Sequence, residues 1–324
     1  MLWRNVSDAL ADSAQLRARG IMGMNQRNCA YVGRYNERKH FPNVDNKLKT
    51  KELAMEFEIP VPQLITTVQY QHDVRTAVDQ LTELESFCIK PAKGSGGKGI
   101  LAIARRDKNG FYKASGEHIG QDAVIRHLSN TLAGLFSLSG ANDIALIEEL
   151  IEFDPQFEGL SHEGVPDIRI IVFKGYPIMA MMRLATHESD GKANLHQGAV
   201  GVGIDISTGQ ACAAVQHNRP VVDHPDTKQP LGDIAISDWP ALLHLAASCY
   251  EMSQLGYLGV DLVLDKTRGP LLLELNARPG LSIQIANQRG LLPRLRQIEA
   301  LQYRRTRPVE ERVQFSITSF KDTL

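Results

Sequence analysis

Residues 89–100 read IKPAKGSGGKGI, an apolar segment with a lysine followed by a run rich in glycine. Gly94, Gly96 and Gly99 match the spacing G-x-G-x-x-G, which occurs in dinucleotide-binding turns and in the phosphate-covering loops of protein kinases. Glycine lets backbone N–H groups approach phosphate oxygens closely. The residues that flank the loop decide which of these chemistries, if any, it serves.

These flanking residues exclude three familiar phosphate-binding motifs. A dinucleotide turn leads into a helix, whereas residues 100–110, ILAIARRDKNG, predict a second strand that ends in an Asn-Gly turn. A Walker A loop needs Ser or Thr after its lysine, but Lys98 is followed by Gly99. A protein kinase places its lysine after the loop, and here Lys90 precedes it. Two predictions remain: a glycine lid over phosphates with Lys90 beneath it, or a mobile surface turn with Lys90 in solvent.

A second constellation lies in residues 258–280, LGVDLVLDKTRGPLLLELNARPG. Asp261 interrupts one apolar strand, and Glu274 and Asn276, two residues apart, lie on one face of the next. A turn centred between residues 267 and 268 would set Asp261 opposite Glu274. Two carboxylates in an apolar setting need a cation, and such oxygen ligands suit Mg²⁺. The pattern favours a Mg²⁺ site, and the alternative is a half-exposed hairpin whose polar residues face water.

The chain as a whole has the character of an ordinary enzyme. It has 324 residues, 43% of them hydrophobic and 23% charged, and its net charge of −1 offers no field that would recruit nucleic acid or an anionic membrane. No apolar run approaches the roughly 18 residues that span a bilayer. We therefore expect a cytoplasmic protein without a transmembrane segment. Neither a disulfide framework nor a zinc site is expected, because no C-x-x-C occurs among Cys29, Cys88, Cys212 and Cys249.

Predicted strands and helices are mixed, which favours an α+β fold over a doubly wound parallel sheet. Helices are predicted over residues 47–58 and 239–256, whereas the polar stretch 25–43 is predicted to be irregular. We expect three units: an N-terminal unit over 1–45, a subdomain with the glycine loop over 46–145, and a subdomain with the carboxylate hairpin and a C-terminal tail over 146–324.

In this order, the motifs resemble the ATP-grasp superfamily, and more closely RimK-type α-L-glutamate ligases, from about Asn46 to Ile283. The segments that carry the resemblance are DNKLKTKELAMEFEIPVP at 45–62, FCIKPAKGSGGKGI at 87–100, LIEELI at 146–151, DIRIIVF at 167–173, KANLHQG at 192–198 and NARPGL at 276–281. The resemblance implies an ATP-grasp fold, in which two α+β subdomains clasp ATP. Only about 45 residues precede Lys47, so the N-terminal unit is shortened.

The resemblance also implies roles for individual residues. Its ATP-contacting positions fall on Lys47, Lys90, Gly96, Gly97, Glu149, Leu150, Asp167, Lys192 and Asn194. Its metal ligands fall on Asp261, Glu274 and Asn276, for one or two Mg²⁺ ions with Mn²⁺ as a substitute. The transferring phosphoryl group would be stabilised by Arg169, Arg183 and Lys192. The long loop before Asp167 also makes Glu158 a rival of Asp167 for the ribose.

The implied reaction is ATP-dependent carboxylate–amine ligation through an acyl phosphate. The expected partners are an amino acid, with glutamate as the first candidate, and a peptide, protein or small-molecule acceptor. A homo-oligomer is compatible with the resemblance. Binding to nucleic acid is not expected. One rival is an ATP-grasp phosphotransferase, or a ligase that acts on a sugar-linked or cell-envelope substrate. A second rival is a non-enzymatic ATP-binding adaptor on the same fold.

Overall fold

The computed structural model describes residues 13–94, 96–137, 140–162, 164–301 and 307–321. Its α-helices are Ser13–Ala18, Met24–Gln26, Gly33–Tyr35, Pro42–Asp45, Lys47–Glu56, Val74–Leu81, Gln121–Leu132, Trp239–Ser253, Ser282–Ala286, Leu292–Glu299 and Val309–Ser319. A π-helical turn covers Arg27–Val32. The 3₁₀ turns are Arg38–His40, Gln71–Asp73, Pro155–Phe157 and Leu195–Gln197.

The described strands are numbered in chain order: β1 Leu64–Val68, β2 Phe87–Pro91, β3 Leu101–Ile103, β4 Arg105–Asp107, β5 Gly110–Tyr112, β6 His118–Ile119, β7 Ala145–Glu148, β8 Asp167–Phe173, β9 Tyr176–Leu184, β10 Val200–Ile204, β11 Ala211–Gln216, β12 Arg219–Pro220, β13 Tyr257–Asp265 and β14 Gly269–Asn276.

These strands form three antiparallel sheets. The small sheet has the order β1-β7-β2-β3, the large sheet β12-β11-β10-β9-β8-β13-β14, and the third sheet β4-β5-β6. Helices mixed with antiparallel sheets make an α+β fold, as predicted. The predicted boundary at residue 145 falls on the first residue of β7, which pairs with β1 and β2 in the small sheet.

The glycine loop joins β2 to β3, and these two strands pair antiparallel with Phe87 opposite Ile103. A strand therefore follows the loop, which confirms the predicted hairpin and excludes the helix that a dinucleotide turn requires. The predicted second strand is interrupted at Ala104, where β3 ends and β4 begins in another sheet.

Two hydrophobic cores support the sheets. The small-sheet core holds Phe87, Ile89 and Val124, all inaccessible to solvent. The large-sheet core is built from β8, β9 and β13, whose residues are almost all buried, and from the helix Trp239–Ser253. No helix in the described part of the chain combines the length and apolarity needed to cross a membrane.

The structure defines where one of the predicted helices begins and where another ends. The first helix begins at Lys47 because the Asn46 side chain accepts hydrogen bonds from the backbone N–H groups of residues 48 and 49. The second helix ends at Ser253, three residues before the predicted end at Gly256. Gly256 instead packs closely against Tyr35 of the N-terminal unit. A Cβ at this position would lie only 2.8 Å from the Tyr35 carbonyl oxygen.

The stretch 25–43, predicted to be irregular, is mostly helical, so this prediction is wrong. Its polar composition concealed Tyr31 and Val32, which are buried in the large core. Asn36 fixes the stretch to the large sheet: its Nδ2 donates to the carbonyl oxygens of Tyr257 at 2.7 Å and Ala277 at 3.1 Å. Its Oδ1 accepts from the Tyr257 N–H at 2.8 Å.

The carboxylate hairpin, β13 and β14, has Asp261 opposite Glu274, which confirms the predicted register. The turn is not centred as predicted, because Asp265 pairs with Gly269. The ladder shifts by one residue at a bulge at Leu273, and this shift brings the two carboxylates into line.

Candidate active site

One face of the large sheet carries a row of polar side chains. Alternation places Asp167 with Arg169 on β8, and Glu274 with Asn276 on β14. The strand register completes the row, because Asp167 lies opposite Arg183, Arg169 opposite Asp261, and Asp261 opposite Glu274. The structure therefore brings together the predicted metal ligands, both predicted arginines and Asp167.

Ion pairs bind this row tightly. Arg169 donates from Nε to Asp261 Oδ1 at 2.7 Å and from Nη2 to Oδ2 at 2.5 Å. Arg183 forms a bidentate pair with Asp167 and also reaches Asp261 Oδ2 at 2.9 Å. Asn276 Nδ2 donates to the same oxygen at 3.2 Å. Asp261 is only 3% exposed, so both arginines act here as counter-ions of buried carboxylates.

The two aspartates titrate apart because they share these arginines unequally. Burial alone would raise the pKa of Asp261, but Arg169 and Arg183 outweigh it and lower that pKa to about 2. Burial raises the pKa of Asp167 to about 6, against the opposing effect of Arg183 and with the nearby Asp261 charge adding to the rise. The two arginines therefore favour the ionised form of Asp261.

Lys47 connects the carboxylate hairpin to the glycine loop. Its Nζ lies 3.0 Å from Glu274 Oε1 and donates to the Gly94 carbonyl oxygen at 2.6 Å. Its backbone N–H also donates to the Ala92 carbonyl oxygen at 2.8 Å. The first predicted phosphate lysine thus lies where the loop and the predicted metal ligands meet.

Two lysines beneath the loop share the carboxylate of Glu148. Lys90 Nζ lies 2.7 Å from Glu148 Oε2, and Lys51 Nζ lies 2.9 Å from Oε1 and also donates to the Pro62 carbonyl oxygen. Glu148 outweighs burial and raises the pKa of Lys90, whereas burial lowers the pKa of the more enclosed Lys51. Lys90 is therefore not the solvated lysine of a surface turn.

Sequence reasoning missed Lys51 and Glu148. The signal for Lys51 was its position four residues after Lys47, which places both lysines on one face of a helix. Glu148 ends an apolar strand directly before the predicted Glu149, and its burial, at 3% exposed, gave no separate sequence signal.

The cleft between these groups combines charge with apolar surface. Its charged side is formed by Lys47, Lys51, Lys90, Glu148 and Glu274. Its apolar side is formed by Val44, Val61, Pro62, Leu272, Leu273 and Leu275. The free volume is about 20 Å³, so a purine nucleotide would enter only as the cleft opens.

The glycine loop approaches a second loop from the large sheet. Gly96, Gly97 and Gly99 have φ of 61°, 73° and 76°, a left-handed backbone that glycine adopts without strain. A Cβ at Gly97 would lie 4.0 Å from Lys192 Cγ. Lys192 therefore lies beside the tip of the loop, where its Nζ pairs with Asp190 at 2.8 Å.

The comparison with known families gives a match. The sequence signature of the sugar-transfer associated ATP-grasp family matches residues 26–300 of the chain. The chain belongs to this ATP-grasp family. The predicted superfamily is thereby confirmed, and the family within it is the sugar-transfer associated one. A comparison with curated proteins gives no match.

Among solved structures, the ATP-grasp ligase PsnB with its minimal precursor is 17% identical, with a TM-score of 0.44 over 81% of this chain and 60% of PsnB. D-alanyl-alanine synthetase A from Vibrio cholerae is 11% identical, with a TM-score of 0.47 over 87% and 66%. A RimK domain ATP-grasp protein from Sphaerobacter thermophilus is 13% identical, with a TM-score of 0.38 over 78% and 68%. The chain thus spans about two thirds or less of the first two proteins.

In this ATP-grasp chain, the side chains of three predicted nucleotide contacts have other partners. The Glu149 carboxylate pairs with Arg268 at 2.8 Å, and Glu149 is not among the residues that line the cleft. Leu150 is the second residue after β7 and is partly buried. Asn194 Oδ1 caps a short helical turn by accepting from the N–H of residue 196 at 3.0 Å. The Asp167 carboxylate is held by Arg183.

Glu158 is exposed and makes no ion pair with any described residue, whereas Asp167 is paired and buried. Of the two rivals for the ribose, Glu158 is the one with an uncommitted carboxylate. The ribose contact itself stays a prediction.

The donor set of this ATP-grasp chain fits a magnesium ion. Asp261, Glu274 and Asn276 offer two carboxylates and one amide oxygen, and Mg²⁺ usually takes a few such ligands and keeps several waters. No group of three or more His, Cys, Asp or Glu suited to a metal occurs in the described residues, so a closed all-protein metal site is not found there. The set suits an ion that is shared with phosphates.

Proposed function

We propose that this chain is an ATP-dependent carboxylate–amine ligase. The observation that carries the proposal is the position of Lys47, whose ammonium touches both the Gly94 carbonyl of the glycine loop and the Glu274 carboxylate. A phosphate-type loop thereby adjoins an oxygen-rich set of metal ligands. This combination supports the use of a nucleoside triphosphate as a phosphoryl donor.

In the proposed reaction, an oxygen of the substrate carboxylate attacks the γ-phosphorus, the bond to the β-phosphate oxygen breaks, and ADP leaves. An amine then attacks the acyl phosphate, an amide forms, and inorganic phosphate and a proton are released. Lys47, Lys90 and Lys192 would distribute positive charge along the triphosphate. Asp261, Glu274 and Asn276 would hold Mg²⁺, which when bound neutralises charge on the phosphates; Mn²⁺ is expected to substitute.

The arginines have a more specific part in this proposal. Arg169 and Arg183 are both bound to Asp261, so in this arrangement they orient and ionise that carboxylate. They would reach the transferring phosphoryl group only if the network is redistributed when ATP binds. Lys47 and Lys90 would likewise exchange their carboxylate partners, Glu274 and Glu148, for phosphate oxygens.

The experiment is an ADP-release screen of the full chain with MgATP and amino acids, singly and in pairs, followed by mass spectrometry of any product. Stimulation by one amino acid identifies it as a substrate, as either the carboxylate or the amine. An amide product with equal amounts of ADP and phosphate supports ligation.

A second candidate is an ATP-grasp enzyme that acts on a sugar-linked substrate, which the family description, sugar-transfer associated, favours. A stable phosphoester product would identify a phosphotransferase, whereas an amide on a sugar-linked acceptor would retain ligase chemistry. A non-enzymatic ATP-binding adaptor is the remaining alternative. Use of ATP supports a cytoplasmic location as part of the proposal.

A further inference from the structure

A large cavity lies outside the nucleotide cleft, between the N-terminal unit and the carboxylate hairpin. Its volume is about 950 Å³. Residues 28–46 supply most of its wall, Lys93 supplies the side next to the glycine loop, and Arg278 supplies the side next to the hairpin. Pockets for small molecules span roughly 300–1,000 Å³, so the cavity exceeds what one amino acid requires.

The wall that residues 28–46 form is anchored to the rest of the molecule. Asn36 bonds to the start of β13 and to the residue after β14, as described above. Asn43 Nδ2 donates to the Ser253 carbonyl oxygen at 3.2 Å, and the Asn43 carbonyl oxygen accepts from Thr50 Oγ1 at 2.7 Å. Arg27 Nη1 donates to the Pro279 carbonyl oxygen at 2.8 Å. The cavity is therefore preformed by packed elements.

Positive charge predominates on the wall. Arg38 is exposed and makes no ion pair with any residue in the described ranges. The Lys93 ammonium donates to a neutral partner, the Asn142 carbonyl oxygen, at 3.2 Å. Arg278 lies 3.8 Å from Asp45, the one acidic residue on the wall, and 5.0 Å from the centre of the Phe41 ring. Three cations thus face one carboxylate, which favours an anionic ligand.

The cavity adjoins the predicted phosphate end of the nucleotide cleft. Asn46 and Lys93 line the cavity, and their chain neighbours Lys47 and Gly94 touch each other in the cleft at 2.6 Å. Arg278 follows Asn276, a predicted metal ligand, by two residues. A carboxylate bound in the cavity would therefore lie on the side of the cleft where the γ-phosphate is expected.

We propose that this cavity binds the carboxylate substrate, an acidic molecule larger than one amino acid, and that Arg38 and Arg278 recognise its negative charges. The assignment as substrate rests on the proposed function, whereas the binding of a polycarboxylate does not. The carboxylates would come either from an acidic sugar or from an acidic peptide. In both cases one of them is the oxygen nucleophile of the phosphoryl transfer.

The test measures binding to the full chain by isothermal titration calorimetry without ATP or metal. The probes are trigalacturonate, tri-L-glutamate and the neutral trisaccharide maltotriose. We expect at least one acidic probe to bind saturably and more weakly at high salt, while maltotriose does not bind. The acidic probe that binds identifies the source as sugar or peptide. Failure of both acidic probes, or equal binding of maltotriose, overturns the proposal.

Variants assign the binding to the cavity. Arg38→Ala is expected to weaken the acidic probe about tenfold, as the loss of a charge-assisted contact does. Arg278→Ala should weaken it similarly. The matched control is Arg34→Ala, because Arg34 lies on the same unit with a 69% exposed side chain but does not line the cavity. An equal effect of Arg34→Ala, or none of Arg38→Ala with an unchanged circular dichroism spectrum, overturns the assignment.

Binding of MgATP and ADP release are measured on the same samples. Acidic-probe binding with no MgATP binding contradicts the proposed ligase and leaves the anion site standing. If MgATP binds and an amide forms, but acidic-probe binding is insensitive to Arg38→Ala, the proposed ligase stands and the assignment of the anion site to this cavity is contradicted.

Discussion

Lys47 Nζ lies 3.0 Å from Glu274 Oε1, and the two side chains are 19% and 29% exposed. This ion pair joins a residue predicted to touch ATP phosphates to one predicted to hold Mg²⁺. A triphosphate would bind Lys47 and a metal ion would bind Glu274, so this ion pair has to separate when both ligands bind. The same two residues also connect the glycine loop to the large sheet.

Glu274→Gln should change the metal dependence of ATP binding. Without Mg²⁺, we expect the variant to bind ATP at least as tightly as the parent, because a negative charge near the phosphates is removed and Lys47 is released. With Mg²⁺, the parent should gain affinity and the variant should lose most of that gain. Competition with a fluorescent ATP analogue, with Mg²⁺ or EDTA, measures both. The control is Glu152→Gln, which removes an exposed carboxylate elsewhere; a variant that keeps the full Mg²⁺ effect would exclude Glu274 as a ligand.

Asp261→Asn should lower both stability and turnover. It takes the paired carboxylate from Arg169 and leaves Arg183 with Asp167, and breaking a buried pair in this way costs about 3–5 kcal/mol of unfolding free energy. The double variant Arg169→Gln with Asp261→Asn should recover part of the stability but none of the Mg²⁺-dependent ADP release. Urea unfolding and ADP release measure the two effects. Recovered turnover in the double variant would mean that Asp261 only balances charge.

Glu148→Gln should destabilise the fold in a pH-dependent way. At neutral pH we expect a loss of about 3 kcal/mol, because Lys51 and Lys90 lose their shared carboxylate. Although burial opposes it, these lysines lower the pKa of Glu148 from its ordinary 4.5. The stabilisation is therefore fully present above pH 4.5 and declines as the pH falls through the lowered folded-state pKa. Unfolding free energies of parent and variant should converge below that pH, and a constant gap would contradict the ionised pair.

Two alanine substitutions should separate loop strain from loop packing. Gly96 and Gly99 both have positive φ, so alanine at either costs roughly 1–2 kcal/mol in backbone strain. A Cβ at Gly99 would also lie 2.4 Å from Phe136 Cγ, whereas a Cβ at Gly96 meets nothing within 4 Å. Gly99→Ala should therefore lower the melting temperature more, and Gly96→Ala should mainly weaken ATP binding. Equal melting temperatures would show that the loop does not pack on Phe136.

Local pattern predicted those parts of the fold and site that depend on one strand or one hairpin. Alternation and an assumed turn brought Asp261 opposite Glu274. The actual turn is centred on Thr267, half a residue away, and the bulge at Leu273 compensates for the difference. The flanking strands also identified the glycine loop as a hairpin tip. These features depend on residues close in sequence, where spacing alone fixes direction.

Sequence spacing alone could not predict contacts between strands that are far apart in the chain. Arg169 and Asp261 are 92 residues apart, and only the pairing of β8 with β13 makes them neighbours. The resemblance implies that Arg169 faces the phosphates, which stays a prediction, and in this structure Arg169 binds the Asp261 carboxylate. The helical structure of residues 25–43 was missed because Tyr31 and Val32 are isolated among polar residues. The adjoining cavity depends on long-range contacts of Asn36.

The central claim is tested most directly by incubating the full chain with MgATP and the pair of carboxylate and amine substrates that stimulates ADP release, then quantifying ADP, phosphate and product by mass spectrometry. The account predicts ADP, phosphate and a new amide in equal amounts, with all three lost in Asp261→Asn. A phosphorylated product without an amide, or ATP binding with no Mg²⁺-dependent ADP release under any substrate pair, would contradict it.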